Sequence, residues 1–328
     1  MLRSALSARN LLKLASLCAG LLPVLPVCGP AFAHHESFAP ARVVSINLCT
    51  DQMAMLLAGD GQLVSVSNLA ADPAVSAMAE EARGYRLNHG LAEEVFLMKP
   101  DLVLAGSYTT RETVDLLKRL GISVAEFAPE ASLEDVRENL LRMGHLLGHE
   151  QAAERLVEDM DRARAALLAK PAGGGTAALY YANGYTSGEN TLAGDLVADA
   201  GLDNIGIDAG IDGLGRLPLE RLIMAAPDVI VGGDSGYDAP ALAEAPFAHP
   251  AFLSAVEAAE FVDLPSRLTI CGGPFNLEAI SRLKGDIPDA SGNGTEPNEQ
   301  GNKADGQMSA ADPRFSEWQI RSRGAGND

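Results

Sequence analysis

Apolar residues in this chain follow two rhythms. Short, largely apolar runs at 42–46, 63–67, 101–105, 122–127, 176–182, 228–232 and 261–264 mark strands, and those at 101–105 and 228–232 read as buried on both faces, as in a parallel sheet. Between them apolar positions recur at helical spacing. Met53, Leu56 and Leu57 follow a cap at Thr50, and further helices are predicted at 111–120 and 192–200, ending at Gly121 and Gly201. Ser132-Leu133-Glu134-Asp135 is a capping box, with Leu133, Val136, Leu140, Leu141 and Leu147 on one face behind it. Gly148 interrupts that run, and another helix is predicted over about 149–169. At 1.5 Å per residue it would be roughly 30 Å long, enough to cross from one lobe to another. The stretch 72–90 keeps neither rhythm and reads as irregular. Gly272-Gly273-Pro274 opens a last helix, with Pro274 in its first turn. Strand and helix alternating in this way predict an α/β fold with mostly parallel sheets.

One phrase in the pattern occurs twice. Residues 93–106 read EEVFLMKPDLVLAG and residues 220–233 read ERLIMAAPDVIVGG, 127 residues apart. Each copy has a Glu seven residues before a Pro-Asp pair, then an apolar run ending in Gly. The proline ends a short helix, and the glycine is expected to turn the chain at the strand's carboxyl end, where open α/β sheets bind ligands. The repetition predicts two similar α/β lobes with their strand ends on a common cleft. The boundaries expected are 42–146 for the first lobe, 147–175 for the inter-lobe helix and linker, and 176–285 for the second lobe.

Composition sets the compartment. With 328 residues, 47% of them hydrophobic, the chain is long enough for two domains, each with its own core. A formal charge of −19 argues against nucleic acid and anionic membranes and suits a basic partner. Residues 1–33 have the form of a secretory signal peptide: Arg3, Arg9 and Lys13, an apolar core broken by Pro23 and Pro26, then Ala31-Phe32-Ala33. Residues 34–41 make a short leader. Cys28 raises lipoprotein processing, but Pro26 and Val27 ahead of it favour a freely exported chain. Cys18 and Cys28 leave with the signal. Cys49 and Cys271 remain, a pair that an oxidising compartment permits to join. From residue 286 to 328 the composition turns to Gly, Asn, Asp, Glu and Ser, which predicts a disordered tail.

No catalytic pattern is present: no G-x-S-x-G elbow, P-loop, H-E-x-x-H or G-x-G-x-x-G behind the first strand. The chain is therefore not expected to be an enzyme, nor to carry a resident cofactor. The predicted strand ends instead carry planar, hydrogen-bonding side chains: Asn47, Tyr85, Arg86, Tyr108, Asn183, Tyr185, Tyr237 and Arg267. Tyrosines supply contact area at small entropic cost, and arginine offers a forked donor to an oxyanion. Such a set suits a sizeable polar or anionic ligand held between two surfaces.

The strand-loop-helix RVVSINLCTDQMAMLLAG, the two copies of the phrase and the helix between them together resemble the periplasmic substrate-binding proteins of ABC importers for iron–siderophore complexes, haem and cobalamin. The resemblance covers about residues 42–283. It implies two Rossmann-like lobes joined by one long helix, a cleft for a small-molecule metal chelate, and an inner-membrane permease as partner to a periplasmic monomer. It also implies that Glu93 and Glu220 dock into arginine pockets of the permease. In hydroxamate-binding members an Arg and a Tyr fall near Arg86 and Tyr108. A ferric-siderophore-type chelate is the expected ligand, with cobalamin, haem or a bare metal ion as alternatives. Cys49 and Cys271 would both line the cleft, paired across the lobes, touching a metal centre, or as free thiols.

Overall fold

The computed structural model describes residues 39–171, 174–233 and 242–285. The signal peptide, leader residues 34–38, Tyr237 and the tail 286–328 lie outside the described residues. In the first lobe β1 (Val43–Ser45), α1 (Leu48–Leu57), β2 (Leu63–Ser67), α2 (Ala79–Ala82), β3 (Arg86–Asn88), α3 (Ala92–Leu97), β4 (Leu102–Gly106), α4 (Arg111–Arg119) and β5 (Ser123–Phe127) follow one another. The five strands form one parallel sheet in the order β3-β2-β1-β4-β5. Helices α5 (Leu133–Leu147) and α6 (Glu150–Leu168) then carry the chain across. The second lobe holds β6 (Thr176–Leu179), β7 (Tyr185–Ser187), α7 (Leu192–Asp199), β8 (Asp203–Asn204), α8 (Ile205–Asp208), β9 (Leu214–Arg216), α9 (Leu219–Ala225), β10 (Val229–Gly232), α10 (Pro250–Ala258), β11 (Glu260–Asp263) and α11 (Asn276–Leu283). Its main sheet is parallel, in the order β11-β10-β6-β8, and β7 and β9 make a separate antiparallel ribbon. Two lobes of mostly parallel sheet are thus present, with no strand shared between their sheets.

The repeated phrase folds the same way twice. Lys99 and Ala226, at equivalent positions just before the prolines, both take left-handed backbone, with φ of 51° and 43°. A residue before proline is disfavoured in the helical region, so the helix ends there and the strand can begin. The aspartates then stitch each new strand to its neighbour. Asp101 accepts hydrogen bonds from the amides of Ala41 and Arg42, at the head of β1. Asp228 accepts from the amide and hydroxyl of Thr176, at the head of β6. At Gly106 the chain turns as expected, the amide of Thr109 donating to its carbonyl at 2.9 Å, and both closing glycines also allow close approach. A Cβ on Gly106 would stand 2.7 Å from Asn47 Nδ2, and one on Gly233 would stand 2.4 Å from the carbonyl of Leu264.

A separate core for each lobe is not what forms. One continuous cluster runs from Val43, Met53 and Leu104 through Leu140, Met143, Val157 and Met160 to Leu179, Leu196 and Leu283. Only the outward faces keep private cores, around Val44, Val95 and Val103 in one lobe and Ala178, Leu222 and Ile230 in the other. The reason is that α5 and α6 are amphipathic and bury their apolar faces against both lobes at once. Polar ties reinforce the seam. Arg164 on α6 holds Asp199 on α7 through two hydrogen bonds of 2.6 and 2.8 Å, and the amide of Leu133 donates to Asp195 at 2.8 Å. Parting the lobes there would expose apolar surface at about 25 cal/mol per Å².

Three local expectations are corrected. Asn47, not Thr50, caps α1, its Oδ1 accepting from the amides of Cys49 and Thr50; the Thr50 hydroxyl turns back to Ser45 at 2.8 Å. The stretch 72–90 is not wholly irregular but holds α2 and the edge strand β3. That strand is three residues long and mostly exposed, so it forms by pairing with β2 rather than by burying an apolar run. Residues 185–187 and 214–216, to which the apolar pattern assigns neither strand nor helix, form the two strands of the ribbon, which only their mutual pairing defines.

Candidate functional site

In the first sheet the strand order reverses between β1 and β4, and such a switch point leaves a crevice at the strands' carboxyl ends. Capping by Asn47 turns the chain over that crevice at the end of β1, and the end of β4 delivers Ser107 and Tyr108. Asn47, Cys49, Gly106, Tyr108, Phe127 and Glu130 line a small cavity of about 60 Å³ there. Ligand pockets commonly hold several hundred Å³. This cavity alone is too small to enclose a whole chelate.

The second lobe meets the first at this place. Cys49, in the first turn of α1, is disulfide-bonded to Cys271, which follows the carboxyl end of β11, with Cα atoms 5.0 Å apart. This resolves the three fates left open for the two cysteines. Cys49 follows β1 by four residues and Cys271 follows β11 by eight, so the bond ties together segments that follow a strand in each sheet. Beside it, Glu130 is buried, and burial raises its pKa above the usual carboxylate range. Hydrogen bonds from Asn139 Nδ2, at 2.8 Å, and from the backbone of Gly272 in the other lobe pull in the opposite direction. Glu130 was not singled out in the sequence. Its signal was a lone acid just past a strand end, behind Pro129.

Beneath the crevice lies a polar layer confined to the first lobe. Asp51 on α1 is fully buried and accepts from Ser67 Oγ at the end of β2; its Oδ1 has no partner. Burial pushes its pKa up to about 6, against hydrogen bonds from Ser45 and Ser67 that lower it. Asn88 at the end of β3 donates to the carbonyl of Ser45 and the hydroxyl of Ser65, both at 2.9 Å. The layer pins the ends of β1, β2 and β3, and with them the loops above.

The other candidate residues divide. Tyr108 is 87% exposed beside the cavity. Arg267, half-buried in the helical turn Ser266–Leu268 four residues before Cys271, has no hydrogen-bond or ion-pair partner among the described residues. Tyr185 is exposed on the ribbon with the Arg216 guanidinium 5.6 Å from its ring centre, a pairing the sequence reading missed. Tyr85 packs against the shared core, and Arg86 opens the edge strand β3, exposed, rather than standing at a strand's carboxyl end. Asn183 takes left-handed backbone in the turn after β6. His89 and Glu94 are neighbours at 3.6 Å, and among the described residues no group of three His, Cys, Asp or Glu converges to hold a metal. Glu94 also accepts from the amide of His89, whereas Glu93 and Glu220 are exposed and enter no hydrogen bond or ion pair among the described residues.

Two parallel-sheet lobes joined at one seam, with a crevice at their facing strand ends, define a solute-binding architecture. The chain belongs to the periplasmic binding protein family, which it matches over residues 43–268. It is 31% identical over 201 residues to a cobalamin-binding protein of Halobacterium salinarum, a match covering 60% of this chain and 54% of that one. The chain thus spans about half the length of that curated relative. The periplasmic heme-binding protein RhuT of a Roseiflexus species, solved in apo form, superposes with a TM-score of 0.61 at 22% identity, over 75% of this chain and 98% of that one. A solved structure from the ABC-type Fe3+-hydroxamate transport system of Saccharomonospora viridis gives a TM-score of 0.59 at 20% identity, covering 76% and 93%. At such identities the two structures establish the fold. Family and neighbours are substrate-binding transport proteins. Among the described residues no helix is long and apolar enough to cross a membrane.

Proposed function

We propose that this protein is the periplasmic solute-binding component of an ABC importer. It captures an anionic ferric-siderophore-type chelate between its lobes and delivers it to an inner-membrane permease. One observation carries the reading. An exposed tyrosine, Tyr108, shares a cavity lining with Cys49, and four residues before its partner Cys271 stands a half-buried arginine, Arg267, unpaired among the described residues. A half-buried cation without a counter-ion favours an anionic guest. Asn47 offers its free Nδ2 to the same crevice, and Tyr85, Arg86, Tyr185 and Tyr237 remain candidate wall residues. Glu93 and Glu220 would meet basic residues of the permease in charge-assisted pairs. A second reading, cobalamin, is favoured by the name of the 31%-identical relative, and haem by the name of the Roseiflexus protein.

Calorimetric titration of the purified protein with a ferric hydroxamate, haem and cobalamin in turn separates these readings. The ferric hydroxamate is expected to bind. Tyr108→Ala and Arg267→Ala should each weaken that binding by about 2 kcal/mol, as removal of an anchor residue commonly does. Binding of cobalamin or haem alone would replace the siderophore reading. In cells, Glu93→Ala with Glu220→Ala should abolish uptake while leaving affinity for the ligand intact.

A further inference from the structure

Each candidate docking glutamate is followed by apolar side chains that point into water. Phe96 and Leu97 stand three and four residues after Glu93; Ile223 and Met224 stand at the same places after Glu220. Leu97 is 76% exposed and Met224 is 83% exposed, with Phe96 and Ile223 at 47% and 39%. Two residues before each Glu is another exposed apolar residue, Leu91 in one lobe and Pro218 in the other. The buried positions correspond as well, since Val95 and Leu222 are what the two helices send into the outward cores. Surface helices normally give such positions to polar residues. A single exposed leucine is ordinary, but the same set on two lobes 127 residues apart is a repeated surface.

The topology aims both sets the same way. Helices α3 and α9 each lead into the amino end of a parallel strand, so they run back along the sheet with their Glu-bearing ends toward the strands' carboxyl ends. Glu93 and Glu220 therefore stand at the cleft end of the outward helices, each with its apolar pair one turn further along the same helix face. We propose that Leu97 and Met224, flanked by Phe96 and Ile223, are the apolar half of a two-point docking surface. Each fits an apolar collar around a basic residue, and the partner is a membrane protein that offers this socket twice about a two-fold axis. The inference rests on the docking reading of Glu93 and Glu220. Charge selects this occupant: a second copy of the chain would press glutamate against glutamate, and an anionic bilayer would repel a chain of charge −19. The carboxylates orient the encounter, and the apolar pair supplies affinity that salt does not screen.

Binding of the fluorophore-labelled protein to inner-membrane vesicles, with and without the cognate permease, tests this at low salt and at about 0.5 M NaCl, where screening is nearly complete. Leu97→Gln with Met224→Gln should melt like the wild type and bind permease vesicles roughly tenfold more weakly at both salts. Glu93→Ala with Glu220→Ala should weaken binding at low salt and flatten its salt dependence. Wild-type binding by the Leu97/Met224 variant beside a defective glutamate variant overturns the apolar half alone. Wild-type binding by the glutamate variant overturns the docking reading itself. Equal binding to permease-free vesicles, or a dimer in sedimentation that Leu97→Gln with Met224→Gln dissolves, would assign the patches to lipid or to a second copy and overturn the proposal.

Discussion

The outer sides of the two lobes are near copies, and their inner sides are not. Outside, each lobe repeats a glutamate, an exposed apolar pair, a left-handed residue before proline and an aspartate that stitches the neighbouring strand. Past its strand ends the first lobe brings Asn47, Tyr108, Glu130 and a polar layer under them, whereas past its own strands the second carries Arg267 and a ribbon bearing Tyr185 and Arg216. The contrast follows from what each side would meet under the proposed function. A two-fold symmetric partner requires two equal faces, while a ligand without that symmetry is gripped by different groups from each side.

The largest expected effect comes from cutting the bond that holds the unlike sides together. Replacing Cys49 and Cys271 with Ser frees a loop of 222 residues, which chain entropy values at about 5 kcal/mol. Calorimetric unfolding should show a loss of that order, and small-angle scattering should show greater domain movement on ligand addition than in the bridged protein. An unchanged melting temperature would mean that the lobes are held by the shared core alone.

Next is Asp51, a buried acid with no counterpart among the described buried residues of the second lobe. Its folded pKa of about 6 lies above the ordinary value of 3.8 for an accessible aspartate. The folded state therefore binds the extra proton between about pH 4 and 6, and stability falls as pH rises through that window. The contribution is fully present below pH 4 and gone above about pH 6, a span of about 3 kcal/mol. Asp51→Asn should be flatter than the wild type across that window when urea unfolding is followed from pH 4 to 7. Parallel curves for the two proteins would show that Asp51 does not titrate there.

The smallest effect probes the like sides. Lys99→Gly and Ala226→Gly relieve left-handed backbone at matching positions, partly offset by the greater freedom of glycine in the unfolded chain. Each should gain about 0.5 kcal/mol, and by equal amounts. Unequal gains would show that the copies differ in strain despite their shared pattern.

Local chemistry made the repeat legible. A helix stopped before proline, a Pro-Asp joint and an unbroken apolar run all lie within fourteen consecutive residues, so pattern sufficed for two lobes and for an exposed glutamate at the start of each matching helix. Helix α6 was legible for the same reason, running Glu150–Leu168 where 149–169 was expected. The edge strand β3 and the ribbon were not, since short exposed strands gain their order from a partner rather than from their own apolar residues.

By itself, then, the sequence determined the α/β alternation, the twofold phrase and the helix between its copies, because helix spacing and strand burial are written in neighbouring residues. Only the tertiary structure decided that Cys49 meets Cys271, that Glu130 reaches Gly272, and that α5 and α6 merge two expected cores into one. Each of these joins residues far apart in the chain. Their distance is set by how two sheets and a helix pair stack together, and no local pattern encodes that distance.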